Sequence, residues 1–145
     1  MSDKKYIKDK LNEALQQVSV KGKAAGVLLK CVTTGNVLLL LRNDPQPTWA
    51  LISGGVEEGE EVLDGLKREI VEETKINPNE IKFEFNRIED MPGKDKEFYY
   101  YEGFCRNEFT PTLDHENLDY KWCNLDNLPT PLYNGIIHKI KKILQ

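Results

Sequence analysis

The sequence predicts an α/β fold in which a mixed β-sheet is packed between helices. Two apolar, strand-like segments come early in the chain, and a segment with apolar residues at three- and four-residue intervals follows them. Two further strand-like segments and a second amphipathic helix come later. Elements in this order bury their apolar faces best as layers, with the sheet in the middle.

The first half of the chain contains a helix and three predicted strands. Residues 1–17 predict a charged N-terminal helix with one apolar stripe. Residues 24–32 and 37–42 predict two strands, and residues 48–52 predict a short third one. The glycine-containing segment 53–55 then predicts a break, where the backbone can take a positive φ or approach a ligand closely. The apolar stripe of the N-terminal helix consists of Tyr6, Ile7, Leu11 and Leu15.

The second half begins with an amphipathic helix over residues 60–74, whose apolar positions form one face. Residues 81–88 and 97–104 predict two strands, and residues 120–123 predict a short one. Residues 133–144 predict a closing helix. The apolar face of the first helix consists of Val62, Leu63, Leu66 and Ile70. That of the closing helix consists of Ile136, Ile137, Ile140 and Leu144.

Length, charge and cysteine content limit the classes of protein to which the chain can belong. A chain of 145 residues with 39% hydrophobic residues and no evident linker predicts one domain over residues 1–145. Acidic residues outnumber basic ones by 24 to 20, which argues against a stable nucleic-acid partner. The longest apolar run, residues 37–41, is too short for a signal peptide or a membrane span. The three cysteines form no CxxC pair, which favours reduced thiols and a cytoplasmic location.

Three glutamates on the first amphipathic helix predict a metal site. Glu69, Glu72 and Glu73 stand at i, i+3 and i+4, so their side chains emerge on neighbouring parts of one helix face. Carboxylates this close repel one another unless a cation lies between them, and hard oxygen ligands suit Mg²⁺ or Mn²⁺. A solvated acidic face is the alternative. It is disfavoured because Glu73 borders the apolar stripe of the helix.

The spacing over residues 54–76 resembles the Nudix box, G-x(5)-E-x(7)-R-E-U-x-E-E-x-G-U, in which U is a bulky aliphatic residue. One position departs from it, since Lys75 stands where the family has glycine. Lysine suits the helix C-terminus electrostatically, but it strains the backbone if it must turn left-handed. The positions in register are Gly54, Glu57, Glu60, Arg68, Glu69, Ile70, Glu72, Glu73 and Ile76.

The resemblance implies a Nudix-type α/β/α sandwich and a pyrophosphate-cleaving hydrolase. It implies that Glu69, Glu72 and Glu73 bind Mg²⁺ or Mn²⁺, with the Gly54 carbonyl as a further ligand. Arg68 is expected to point away from the glutamate face. It would then brace Glu57 or Glu60, which support the site, rather than touch substrate.

The general base has two candidates. Some members of the family use the first glutamate of R-E-U-x-E-E, here Glu69. Others use a glutamate from a later loop, and here Glu116 begins a segment similar to the family's E-H-x-D-Y-x-W, with Asn117 in the place of histidine. Both alternatives stay open, as does a solvated loop position for Glu116.

The substrate is expected to be a small nucleotide: a nucleoside triphosphate, an ADP-ribose-like compound or a dinucleoside polyphosphate. Arg42, at a strand end, could meet a phosphate, and Trp49 could stack on a base. The other class of function is a catalytically silent, nucleotide-sensing domain. The retention of every box glutamate disfavours it. The sequence leaves the number of metal ions and a homodimer open.

Overall fold

A computed structural model of the chain describes residues 3–18, 21–91 and 93–144, without the side chains of residues 13–18, 137 and 142. The described ranges form three α-helices, seven strands and one 3-10 turn. In chain order these are α1 Asp3–Val18, β1 Gly22–Cys31, β2 Val37–Arg42, β3 Trp49–Ala50, β4 Ile52–Val56, α2 Val62–Thr74, the 3-10 turn Pro78–Glu80, β5 Lys82–Asp90, β6 Lys96–Cys105, β7 Asn117–Cys123 and α3 Ile136–Leu144.

The seven strands form one mixed sheet. Its main order is β3-β2-β1-β6-β5, with β4 paired to β1 and β7 paired to β2. Strands β1 and β6 run parallel over their whole length, from Gly22 opposite Lys96 to Cys31 opposite Cys105. The other pairs are antiparallel. The prediction of a mixed sheet is therefore confirmed.

The two later helices cover opposite faces of the sheet. Leu66 and Ile70 of α2 join one core cluster, with Val27 and Leu29 of β1. The second cluster contains buried residues of α3 together with Leu28 of β1. Alternate residues of β1 thus point to opposite layers, as the two-residue period of a strand requires. This arrangement confirms the α/β/α sandwich.

The predicted break at residues 53–55 is wrong. Strand β4 runs through it, pairing Ser53, Gly54 and Gly55 with β1. None of these residues has a positive φ. The break lies earlier, at Leu51, where the predicted strand 48–52 divides into β3 and β4. Glycine allows close approach here rather than a turn, because the carboxylate of Glu69 lies against Gly54.

The closing helix begins three residues later than predicted. Leu132 forms an isolated bridge with Trp49, and the Tyr133 N–H donates to the Trp49 carbonyl at 2.8 Å. The chain is therefore still extended at Tyr133, and Gly135 then turns it at a φ of 84°. The prediction for Leu144 is also wrong. This side chain is exposed, and Ile143 is buried in its place beside the other apolar residues of α3.

Other boundaries shift by up to three residues. Helix α2 begins at Val62, two residues after its predicted start, and β7 begins at Asn117, three residues before its predicted start.

Helix α1 forms as predicted, but its stripe is solvent-exposed: Tyr6, Ile7 and Leu11 are each more than half exposed. The predicted stripe residue Leu15 and the predicted face residue Ile137 lie outside the side chains that the structure describes. Over the described ranges, no helix combines the length and the apolarity needed to cross a bilayer.

Candidate active site

Helix α2 presents its three glutamates in three different environments. Burial of Leu66 and Ile70 fixes the rotation of the helix about its axis. In that orientation the Glu73 residue is 7% exposed, the Glu69 side chain is 13% exposed and the Glu72 side chain is 52% exposed. The three glutamates therefore differ in solvent exposure, from the buried Glu73 to the exposed Glu72, so this face is not a uniformly solvated acidic surface.

Glu73 is a buried carboxylate with an unsatisfied oxygen. Its Oε2 atom has no hydrogen-bond partner among the described residues. Burial, with the negative charges of Glu69 and Asp114, raises the pKa of Glu73 to about 8, although a hydrogen bond from Asn117 opposes the shift. A buried polar atom without a partner is destabilising, so an orphaned carboxylate oxygen is expected where a cation belongs.

Gly54 provides the space into which Glu69 fits. A Cβ atom built on Gly54 would clash with the whole carboxylate of Glu69, whose Oε2 would lie 2.6 Å from it. Burial, followed by the negative charges of Glu72 and Glu116, raises the pKa of Glu69, and a hydrogen bond from Arg68 acts against this. Strand β4 and helix α2 therefore meet at this contact, and a side chain at position 54 would force Glu69 away.

Arg68 does not point away from the glutamate face, so that expectation is wrong. Its Nη1 atom donates to Glu69 at 3.0 Å and to Glu72 at 3.3 Å. Its Nη2 atom donates to the Gly55 carbonyl at 2.9 Å. The planar guanidinium has donors on several edges, so one side chain can reach the glutamate face, strand β4 and the preceding loop together.

The same guanidinium also binds the loop before the helix. Nε of Arg68 lies 3.0 Å from Glu60 and 3.9 Å from Glu57. The Glu60 carboxylate in turn accepts from the Glu57 N–H at 2.9 Å. The hydrogen bond from Arg68 lowers the pKa of Glu60, and the same contact raises that of Arg68. These contacts tie the loop to the helix.

The residues present suit a divalent cation, although they do not surround one point as they stand. Among the described residues, no three Asp, Glu, His or Cys side chains have the arrangement of a metal site. Arg68 instead occupies oxygens of Glu69 and Glu72. The carboxylates are hard donors, and the orphaned oxygen of Glu73 lacks a partner that a cation would supply. The donor set therefore fits Mg²⁺ or Mn²⁺.

Glu116 lies across a cleft from Glu73. The cleft measures about 400 Å³ and is lined by Arg42, Glu73, Glu116 and Asn117, with Asn43, Asp44 and His115. The negative charge of Glu116 acts on both Glu69 and Glu73. Glu116 is exposed, and a backbone hydrogen bond from Asn43 to its carbonyl, 2.9 Å long, fixes its turn. The structure thus brings Glu116 to the glutamate face.

Asn117 is a site residue that sequence reasoning did not select. It is 8% exposed, and its amide contacts Asp114 at 3.3 Å as well as Glu73. The signal was its position in the segment that resembles E-H-x-D-Y-x-W, where it replaces histidine. The segment predicts a role for its ionisable neighbour Glu116 instead, because a neutral amide indicates no acid–base chemistry of its own.

The two predicted substrate contacts occupy different places. Arg42 ends β2, donates to Asp44 at 2.8 Å and lies over the ring of Tyr133 with its guanidinium carbon 4.9 Å from the centroid. The hydrogen bond to Asp44 raises its pKa. Trp49 is half-buried and packs against the core cluster on the α3 side. Arg42 thus borders the cleft, whereas Trp49 is not among the residues that line it.

Helix α2 ends in a left-handed cap without glycine. Lys75 has φ 63° and ψ 9°, and its backbone N–H donates to the Val71 carbonyl at 3.0 Å. Its ammonium donates to the Glu72 carbonyl at 3.1 Å. The geometry is the one that glycine normally supplies, and a lysine in it costs roughly 1–2 kcal/mol of backbone strain.

Comparison with curated proteins finds two kinds of relative. The RNA pyrophosphohydrolase of Helicobacter pylori strain G27 is 33% identical over 87 residues, which cover 58% of this chain and 56% of that protein. This chain thus matches little more than half the length of that relative. The asymmetrical bis(5'-nucleosyl)-tetraphosphatase of Caenorhabditis elegans is 29% identical over 111 residues, covering 72% of this chain and 80% of that protein.

Comparison with solved structures finds the same fold. The Ap4A hydrolase of C. elegans, solved as a binary complex, has a TM-score of 0.60 and 28% identity, covering 72% of this chain and 81% of that one. The NUDIX domain of Shewanella oneidensis NrtR, solved with ADP ribose, has a TM-score of 0.67 and 20% identity. It covers 98% of this chain and 96% of that one. At 20% identity the likeness concerns the fold alone.

A profile of the NUDIX domain family matches residues 20–142. This range contains the sheet, the glutamate face of α2, the loop of Glu57 and Glu60, and the turn of Glu116. The resemblance drawn from the spacing over residues 54–76 is therefore confirmed. The chain belongs to the NUDIX family.

Proposed function

We propose that the chain is a pyrophosphohydrolase that depends on Mg²⁺ or Mn²⁺ and cuts the pyrophosphate of a nucleoside diphosphate linked to another group. The relatives named RNA pyrophosphohydrolase and bis(5'-nucleosyl)-tetraphosphatase support cleavage within a phosphate chain. The observation that carries the proposal is the buried, unpartnered Oε2 oxygen of Glu73 beside Glu69. Its burial is explained if the carboxylates bind a cation.

Glu69, Glu72 and Glu73 would hold the cation, with the Gly54 carbonyl as a further ligand. When bound, a divalent cation supplies charge neutralisation of the pyrophosphate and activation of water. Occupation would require Arg68 to release oxygens of Glu69 and Glu72. Arg68 would keep its hydrogen bond to Glu60, 3.0 Å long, and so would still hold the loop against the helix.

The proton of the attacking water needs an acceptor, and two carboxylates qualify. Glu116 faces the cleft and is exposed, so it can meet a water that approaches from solvent. Glu69 is more deeply placed and is engaged by Arg68. We favour Glu116, because a glutamate that holds the cation has fewer free oxygens to accept a proton. The leaving phosphate would depart into the open cleft.

We propose a small nucleotide as substrate, with a nucleoside triphosphate, an ADP-ribose-like compound and a dinucleoside polyphosphate as candidates. Arg42 supports a phosphate contact, since it borders the cleft beside Glu73 and Glu116.

We also propose a cytoplasmic location, consistent with the free thiols of Cys31, Cys105 and Cys123.

The proposal is tested by chromatographic analysis of the products formed from a panel of dNTPs, ADP-ribose, NADH, dinucleoside polyphosphates and an RNA with a 5'-triphosphate. We expect turnover of at least one compound with Mg²⁺ and none in excess EDTA. Glu72→Gln should lower kcat by about 100-fold or more, since a cation contributes several kcal/mol of charge stabilisation.

The matched control is Glu84→Gln, at an exposed glutamate on strand β5 that lies outside the glutamate face. It should keep wild-type turnover, and circular dichroism should show both variants folded. Near-full activity of Glu72→Gln would disprove the metal assignment. Absence of turnover on the whole panel, despite metal binding, would favour the nucleotide-sensing domain.

A further inference from the structure

A second cavity lies on the opposite face of β4 from Glu69. It measures about 180 Å³, and β4 forms one wall through Ser53, Gly54 and Gly55. A Cβ at Gly54 would point toward α2 and Glu69, so the cavity lies on the α3 side of the same strand. One residue of β4 therefore separates the cavity from the proposed metal ligands.

Two cations border this cavity. Arg42 lines both the cavity and the cleft that contains Glu73 and Glu116, so the two spaces adjoin at its side chain. Lys139, in the first turn of α3, lines the cavity from the other side. Its ammonium lies 4.4 Å from the ring centroid of Phe98 and 5.5 Å from that of Tyr133.

Lys139 is a half-buried ammonium near Arg42 and Lys94, and it also borders a neighbouring cavity that Glu89 and Asp90 help to line. Among the described residues no carboxylate forms an ion pair with it. Burial, followed by the positive charges of Arg42 and Lys94, lowers its pKa. A half-buried ammonium usually has an anionic partner, so one that borders a cavity without a paired carboxylate indicates an anionic ligand.

If the scissile pyrophosphate binds at the glutamate face, this cavity remains free to bind another part of the same substrate. A neutral sugar would leave the charge of Lys139 unpaired, whereas a phosphate would neutralise it and would accept a further hydrogen bond from Arg42, whose charge is already paired with Asp44. We propose that Lys139 and Arg42 bind a further phosphate group of the substrate, which makes the preferred substrate a nucleoside tri- or polyphosphate rather than a diphosphate linked to a neutral sugar. The choice of substrate rests on the proposed hydrolase function, whereas the anion site does not.

The binding test uses inorganic tripolyphosphate and metal-free protein, with isothermal titration calorimetry as the readout. Lys139→Gln should weaken binding by about ten-fold or more, the range expected for loss of one charge-assisted hydrogen bond. The control is Lys141→Gln, an exposed lysine two residues further along the same helix, which should bind as wild type does. Equal affinity of the two variants, or no binding to wild type, would overturn the anion site.

The catalytic test compares kcat/KM for a dinucleoside tetraphosphate with that for ADP-ribose. Lys139→Gln should lower this ratio by about ten-fold, mainly through KM of the tetraphosphate. An unchanged ratio in an active enzyme would overturn the substrate preference. Tripolyphosphate binding that depends on Lys139, without turnover of any compound, would refute the hydrolase and leave the anion site standing.

Discussion

Burial of the Glu73 carboxylate destabilises the folded chain unless other interactions offset it. A buried carboxylate without a full set of hydrogen bonds is unfavourable, and its pKa of about 8 reflects that burial together with the charges of Glu69 and Asp114. Among the described residues, a hydrogen bond from Asn117 partly relieves it. A residue with this environment in a packed helix face is expected at a functional site, because a purely structural position would tolerate an aliphatic side chain better.

Substitution of Glu116 separates the two candidates for the general base. Glu116→Gln keeps the size of the side chain and removes its basicity, so kcat should fall by about 10²-fold to 10⁴-fold if Glu116 accepts the proton. The pH dependence of kcat should lose its acidic limb at the same time. The measurement is a pH–rate profile with the best substrate of the panel, and Glu84→Gln serves as the control.

An unaffected rate and profile in Glu116→Gln would return the role of base to Glu69. A change confined to KM would indicate instead that Glu116 repels or positions the substrate. The two outcomes are distinct, because a base acts on kcat whereas a positioning residue acts through binding.

The glutamates were predictable at the scale of single residues, and their partners were not. Spacing within one helix fixes relative positions, so Glu69, Glu72 and Glu73 could be placed on one face from sequence. The partner Asn117 lies at the start of β7, far along the chain, and only the folded structure brings it to Glu73. Arg68 was misplaced because its long side chain reaches around the helix, which backbone periodicity does not describe.

Helix α2 and strand β4 act as one unit at the scale of elements. Gly54 lets the strand approach Glu69, and Gly65 of the helix leaves room for Glu60, whose Oε1 would lie 2.8 Å from an added Cβ. Both glycines therefore serve packing against carboxylates, and neither has a positive φ. The sequence indicated an unusual backbone near Gly54, but a strand contact and a turn demand the same residue type, so it could not distinguish them.

The left-handed cap at Lys75 predicts a stabilising substitution. Lys75→Gly should relieve backbone strain of about 1–2 kcal/mol and lose roughly half of that through greater freedom of the unfolded chain. Tm should then rise by about 2 °C for a chain of this size. Thermal unfolding followed by circular dichroism measures the shift.

Lys75→Ala is the control, because it removes the hydrogen bond from the ammonium to the Glu72 carbonyl and keeps the Cβ. It should not raise Tm. If the glycine variant were less stable than wild type, the side-chain hydrogen bond would outweigh the strain, and the account of the cap would be wrong.

At the scale of the whole molecule, the sheet separates two charged environments. The acidic face of α2 lies on one side of β4, and the cavity of Arg42 and Lys139 lies on the other. Arg42 belongs to both spaces. The order of elements predicted this layered fold, and β1 is buried on both faces, which requires a covering layer on each. It did not predict which strand ends meet, since that depends on sheet order rather than on sequence order.

The central claim is that the glutamates of α2 hold the cation on which hydrolysis depends. The most direct measurement is binding of Mn²⁺, followed by electron paramagnetic resonance, to wild type, Glu72→Gln and Glu84→Gln. We expect saturable binding in wild type and in Glu84→Gln, with affinity about ten-fold weaker or more in Glu72→Gln. Equal affinity in all three proteins, or no saturable binding to wild type, would contradict the claim.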